Sequence, residues 1–300
     1  MTRKVLVTGG TGFVGRALVP KLVEGGHRVR VLARGKRKTS PAEKLNLQIV
    51  AGDVTKAKTL PKALEDIEVV IHLVGIIAEH GESTFEKVHC QGTANLVEAA
   101  KAFGIRRFLH MSALGSRPQA LTNYHKTKFR AEQYLHKSGL DFTIFRPSVI
   151  LGPDSEFLEA FARIIRLSPL VALPKTRRGR LQPIWVGDVA DCFVQAIENE
   201  TTIGQTYELG GPEKLTLKET IERISDHLGK KRPIFAVPMG LMRLGAQLLQ
   251  TFLPKPPLTR EQLLMLEEDN TCDMQQALRL FKIEHISVAE ALERSLKSPR

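Results

Sequence analysis

The run Gly9-Gly10-Thr11-Gly12-Phe13-Val14-Gly15 does most to limit what this chain can fold into. It matches GxGxxG at Gly10, Gly12 and Gly15, and GxxGxxG at Gly9, Gly12 and Gly15. Such a match is weak by itself, but here it has a context. The apolar run KVLVT precedes it and reads as a strand, and Phe13 to Glu24 follows with the spacing of an amphipathic helix. One glycine permits the tight turn, another lets the backbone approach a pyrophosphate, and a third allows the helix to pack closely. The helix N-terminus meanwhile attracts phosphate charge. Residues 9 to 15 are therefore candidate contacts for a dinucleotide, in preference to a merely flexible turn.

The same rhythm repeats downstream. RVRVLA, LQIVAG, EVVIHLVG, RRFLHMSA and DFTIFRP are apolar runs separated by helical stretches, the longest from about Thr84 to Phe103. Strands alternating with helices predict an α/β protein of the Rossmann type, a doubly wound parallel sheet covered on both faces. Pro20, inside the first helix, predicts a kink there. After Pro153 the pattern breaks into a helix near Glu156 to Arg166 and a stretch rich in proline and arginine. PIWVGDVADCFVQAI and QTYELGG then return to the sheet. From Leu215 the chain reads as mostly helical, with one short run, IFAVP. These shifts predict a Rossmann core of residues 1–152 and 181–211, and a smaller, mostly helical lobe of 153–180 and 212–300 that walls a cleft at the carboxyl edge of the sheet. The segment from Met239 to Leu253 is apolar on nearly every side yet too short to span a bilayer. It reads as a helix buried in the lobe, with a membrane-surface or partner-binding helix as the alternative.

Composition narrows the setting. Cys90, Cys192 and Cys272 lie far apart with no CxxC pair, which argues against a disulfide framework or a cysteine zinc site. No metal-ligand set stands out. MTRK leads directly into the first strand without a secretory h-region, so a cytoplasmic location is expected. The net charge of +12 concentrates in RGKRK (34–38), KTRRGR (175–180) and KKR (230–232), pointing to anionic ligands or surfaces. A solvated basic surface is the plainer reading of the second and third clusters.

The first cluster bears on the cofactor. About 20 residues past the glycines an NAD site places an acid against the ribose hydroxyls. This chain has Arg34, followed by Lys36, Arg37 and Lys38. A guanidinium can hold a 2′-phosphate through two hydrogen bonds, so the sequence favours NADP(H), with Arg34 and Lys38 as contacts. Asp53 suits either the adenine amino group or the cap of the next turn, a task Thr55 can share. Val54, Leu73, Val74, Gly75 and Pro147 complete the candidate cofactor-binding set at the remaining strand ends.

Ser112 lies at the end of the fifth apolar run, and Tyr124 and Lys128 form a YxxxK one helical turn apart. A tyrosine near pKa 10 is a poor base at neutral pH, and a nearby ammonium favours its phenolate. Serine can hold the substrate oxygen that exchanges the proton while hydride moves to or from the nicotinamide. Tyr124 and Lys128 also belong to the candidate cofactor contacts. The competing reading is a surface Tyr and Lys beside a capping Ser.

TGGTGFVG, GDV, the Ser112, Tyr124 and Lys128 set, FRPSVILGP, PIWVGDVAD and YELGGPEKLTLKE together resemble an atypical extended short-chain dehydrogenase/reductase over nearly the whole chain. HLVGI, HMSALG and PLTREQLLMLEEDN are more narrowly similar to the branch holding the NADPH-binding accessory subunit of respiratory complex I and its free-standing bacterial relatives. The resemblance implies a phosphate loop at Gly9, Gly12 and Gly15 and catalysis by Ser112, Tyr124 and Lys128. It also implies that some members serve as bound subunits in which NADPH holds structure. In VHCQGTANL, His89 stands where many active relatives carry an asparagine that supports a proton-relay water.

Two function classes follow. The first is an NADP(H)-dependent oxidoreductase or epimerase-like enzyme acting on a nucleotide-linked sugar or a quinone or isoprenoid compound. The second is a cofactor-stabilised, non-catalytic subunit or assembly protein at a respiratory or quinone-related membrane complex, peripheral to the inner membrane. Nucleic acid is disfavoured as a partner because no aromatic stacking motif accompanies the basic loops.

Overall fold

The computed structural model describes residues 1–35, 47–175, 179–252 and 259–296. Its strands are β1 (Lys4–Thr8), β2 (Arg28–Ala33), β3 (Gln48–Ala51), β4 (Val69–His72), β5 (Arg107–Met111), β6 (Asp141–Pro147), β7 (Ile150–Leu151), β8 (Val171–Pro174), β9 (Arg180–Leu181), β10 (Ile184–Trp185), β11 (Gln205–Leu209), β12 (Leu215–Thr216) and β13 (Ile234–Val237). Seven of them make one parallel sheet in the order β11-β6-β5-β4-β1-β2-β3. The six apolar runs of the sequence are β1 to β6, and QTYELGG supplies β11 at one edge. This is the Rossmann arrangement, with the strand order reversing between β1 and β4.

The chain divides into two compact units. The first comprises Met1–Pro147, Val186–Leu209 and Met274–Glu284. One face of its sheet is sealed by Leu6, Val70, Phe108 and Ile144 against Leu96, Val97 and Leu135, all buried. Each such side chain contributes about 1.5–3 kcal/mol by leaving water. The last three come from the helices Gly92–Ala102 and Asn123–His136. The helix Phe13–Glu24 runs as one element through Pro20 and packs against Val186–Ala196. Met274–Glu284, which the sequence pattern groups with the C-terminal lobe, belongs with the sheet unit. Phe281 meets the rings of Phe145 and Tyr207 at 5.5 and 5.2 Å, and Glu284 N donates to Asp188 Oδ1. A single aromatic docked on β6 and β11 draws the segment there, a contact that helical periodicity cannot signal.

The second unit comprises Ser148–Trp185, Gly210–Asp273 and His285–Arg300. Its core gathers Leu158 and Ile165 from the helix Glu156–Leu167, Ile221 and Ile224 from Leu217–His227, and Leu292 from Val288–Ser295. IFAVP provides β13, parallel to β8. Part of the KKR cluster caps a helix: Lys230 Nζ and Arg232 Nε donate to the carbonyls of Arg166 and Ile165 at 3.4 and 3.0 Å. The apolar segment forms the helix Met239–Phe252, but Leu241 and Leu244 are 61% and 56% exposed while Ala246 is buried. The expected enclosure on every side is therefore not what its described side chains show. Among the described residues no helix is long and apolar enough to cross a membrane.

Candidate active site

Strand register brings the candidate residues to one edge of the sheet. Thr8 pairs with Leu32 and with His72, Ala33 with Ala51, His72 with His110, and Met111 with Phe145. The residues just beyond these pairs share the carboxyl edge: the glycine turn after β1, Arg34 after β2, Asp53 after β3, Leu73 to Gly75 after β4 and Ser112 after β5. Pro147 closes β6, and its carbonyl accepts from Leu114 N at 2.9 Å. The edge surrounds the reversal in strand order, where ligands of open parallel sheets bind.

The turn itself is shaped by its glycines. Gly9 has φ +79°, which side chains rarely adopt, and its position abuts the Leu73–Val74 backbone. A Cβ on Gly15 would stand 2.4 Å from Gly9 O, so only glycine lets the helix start so close to the turn. Gly12 N donates to Gly9 O at 2.9 Å, and Gly12 caps the helix without any side-chain hydrogen bond. The first turn also lacks an acid. Leading amides with no side-chain cap, next to a backbone stripped of Cβ atoms, fit a diphosphate.

Arg34 is exposed immediately after β2, and Gly52 N donates to Ala33 O, which sets Asp53 beside it. Asp53 Oδ1 accepts from Thr55 N and Thr55 Oγ1 at 2.9 and 2.8 Å, the local capping that its sequence position allowed. Val54 is buried, with its carbonyl taken by Asn95 Nδ2. Lys38, with Lys36 and Arg37, lies outside the described residues.

Ser112 is buried; its amide extends the β5–β6 ladder to Phe145 O, and its hydroxyl meets that of Ser116 at 3.2 Å. Thr122 caps the next helix by accepting from His125 N, which sets Tyr124 and Lys128 on the first turns. Lys128 is buried, with Nζ donating to Met111 O at 3.1 Å. Gly75 leaves the room for it: a Cβ there would stand 2.9 Å from that Nζ. Burial lowers Lys128 to about 8, against the opposing pull of Glu132. Tyr124 is half-buried among the rings of His125, His89 and Phe85, at 5.0, 5.5 and 5.9 Å. Burial pushes its phenol up to about 12. Tyr124 therefore holds its proton at neutral pH.

Behind this set lies a polar layer that the sequence reading touched only at His89. His89 is buried, with Nδ1 2.9 Å from Thr127 Oγ1 and Nε2 3.1 Å from Ile76 N. Burial, with Lys128 next in weight, lowers its pKa to about 2. His72 bridges Thr8 Oγ1 and Thr93 Oγ1 and is lowered to about 3 by burial. His110 stacks on His72 at 5.3 Å, and neither of its ring nitrogens has a hydrogen-bond partner. Ile76 and Thr127 were missed. Thr127 follows Tyr124 by three residues, so helical spacing alone could have flagged it.

A glycine turn at a sheet reversal, with backbone room for phosphate and a tyrosine and lysine on the helix after β5, defines a dinucleotide-binding Rossmann protein. The chain belongs to the NAD dependent epimerase/dehydratase family, which matches residues 5–210. It is 31% identical over 229 residues to NADH dehydrogenase (ubiquinone) 1 alpha subcomplex subunit 9, mitochondrial, of Arabidopsis thaliana, covering 73% of this chain and 56% of that one. It is 35% identical over 175 residues to ceramide reductase of Caulobacter vibrioides, covering 58% and 55%. These matches therefore span little more than half the length of either relative. The crystal structure of gox2253 superposes with a TM-score of 0.76 at 25% identity, covering 98% of both chains.

Proposed function

We propose that this chain is an NADP(H)-dependent oxidoreductase in which residues 9 to 15 hold the diphosphate, Arg34 takes the 2′-phosphate, and Ser112, Tyr124 and Lys128 handle the substrate's proton. One observation carries the reading: Ser112, Tyr124 and the buried Lys128 share the carboxyl edge with a glycine turn shaped for phosphate. When bound, the nicotinamide supplies or accepts the hydride. Ser112 Oγ can donate a hydrogen bond to the substrate oxygen. Tyr124, protonated with a pKa near 12, is suited to give its proton to that oxygen as a carbonyl becomes an alcohol. Lys128, fixed on Met111 O, supplies positive charge against the phenolate that remains. A protonated Tyr124 suits the reduction of a carbonyl, the chemistry named for one relative, a ceramide reductase. Candidate substrates are quinone or isoprenoid carbonyls and nucleotide-linked sugars. The test is NADPH consumption with a panel of both classes. Tyr124→Phe should abolish it and leave NADPH affinity within about twofold; retained consumption in that variant overturns the assignment.

A second reading has its own support. The exposed Leu241 and Leu244, and a relative named as a subunit of NADH dehydrogenase, suit a cofactor-stabilised protein at a membrane complex, peripheral to the membrane. Flotation with anionic vesicles tests it: recovery in the lipid layer is expected, and a wholly soluble protein contradicts it.

A further inference from the structure

The second unit contains a pocket that plays no part in the dinucleotide site. It measures about 620 Å³, within the range of small-molecule sites. Its apolar lining includes Leu173 of β8, Ile234 of β13 and Leu217 at the start of the helix Leu217–His227. The same lining carries the cations Lys175, Arg180 and Lys218. Lys175 and Arg180 are the two ends of the KTRRGR cluster, which the oxidoreductase reading leaves unexplained.

Asp269, the acid in the lining, directs Oδ1 to the amides of Gly179 and Arg180 at 3.0 Å each, so it braces that backbone. Glu219 near Arg180 is turned back into the capping box with Thr216, accepting from its amide and hydroxyl. The helix end is thereby already capped, which leaves Lys175, Arg180 and Lys218 as the cations of the lining. Lys218 meets Glu222 only at 3.6 Å in an exposed pair, which binds it weakly. Lys175 has no carboxylate partner among the described residues.

We propose that this pocket binds an anionic amphiphile, a phosphate or diphosphate group joined to an apolar chain. The phosphate sits among Lys175, Arg180 and Lys218, and the chain lies along Leu173, Leu217 and Ile234. A guanidinium with two ammoniums selects phosphate, and the apolar lining separates such a ligand from a simple anion. The inference stands apart from the oxidoreductase reading, since neither nicotinamide nor Tyr124 enters it.

Calorimetry on the full chain at low salt tests the idea with three probes: monomeric dihexanoyl phosphatidic acid, inorganic pyrophosphate and dihexanoylglycerol. Saturable binding of the phosphatidic acid is expected, at least about tenfold tighter than either of the others. Lys175→Gln with Arg180→Gln should weaken it by about tenfold or more, and these exposed side chains can be changed without disturbing a core. Vesicles containing phosphatidic acid separate the sources. Capture that is lost in the double variant identifies a bilayer headgroup, and binding of the monomer alone identifies a soluble phosphorylated compound. Pyrophosphate or dihexanoylglycerol binding as tightly as phosphatidic acid, no saturable binding, or unchanged affinity in the double variant overturns the proposal.

Discussion

His89 Nδ1 and Thr127 Oγ1 are joined by a hydrogen bond of 2.9 Å. The Thr127 hydroxyl also lies 2.9 Å from each of the helix carbonyls of Asn123 and Tyr124. His89 Nε2 stands 3.1 Å from both the amide nitrogen and the carbonyl oxygen of Ile76, so the neutral ring finds a partner there in either tautomer. One neutral ring thereby ties the loop after β4, which carries Gly75 over Lys128, to the helix that carries Tyr124. His89→Phe keeps the ring packing against Phe85 and removes the bonds to both Thr127 and Ile76. A loss of about 2 kcal/mol in urea unfolding is expected. An unchanged midpoint would mean the bonds hold nothing.

The buried histidines make the fold acid-sensitive. His72, His89 and His125 sit at about 3, 2 and 4, and His110 is also far below 6.5, with burial the largest cause in each. Above pH 6.5 these rings are neutral in both folded and unfolded chains, and their contribution to stability is fully present. As pH falls below 6.5 only the unfolded chain takes up protons, so stability falls by about 1.4 kcal/mol per pH unit for each ring until the folded values are reached. Urea midpoints measured from pH 7.5 to 4.5 should drop steeply. His110→Phe, which removes a ring with no hydrogen-bond partner, should be neutral or stabilising at pH 7 and should flatten the slope by one ring's share. A wild-type midpoint that stays level to pH 4.5 contradicts this.

Lys128 behaves oppositely. Its buried ammonium, lowered from 10.5 to about 8, penalises the fold at neutral pH, and the penalty fades as pH rises from 8 to 10.5. Lys128→Met should be more stable than the parent by about 1–2 kcal/mol at pH 7, the two converging near pH 10.5, while turnover is lost. Equal or lower stability of the variant at pH 7 would show that the bond to Met111 O outweighs the burial.

Gly15→Ala places a Cβ against Gly9 O, where the backbone has to move. A cost of about 2 kcal/mol and loss of NADPH binding are expected in thermal unfolding and calorimetry. Wild-type binding in this variant would detach the turn from the cofactor.

Much of the sheet unit was legible in the sequence because local signals agreed with one another. Six apolar runs became β1 to β6, and the glycine run fell between β1 and its helix. Ser112, Tyr124 and Lys128 came to one edge because parallel register aligns strand ends, which alternation of strands and helices already implies. The sequence did not reveal the His89–Thr127–Ile76 tie, which is tertiary, or the docking of Phe281 on the sheet. Nor did it show the desolvation that raises the Tyr124 phenol, which depends on neighbours such as Phe85 and His125. Nor did mean apolarity disclose that Leu241 and Leu244 face outward.

The selection of a 2′-phosphate by Arg34 is the claim most directly open to measurement. Calorimetric titration of wild type and Arg34→Ala with NADPH and NADH should show NADPH bound about tenfold or more tightly than NADH in the wild type. In the variant that preference should collapse while NADH affinity stays the same. Equal affinities in the wild type, or tighter binding of NADH, would contradict the account.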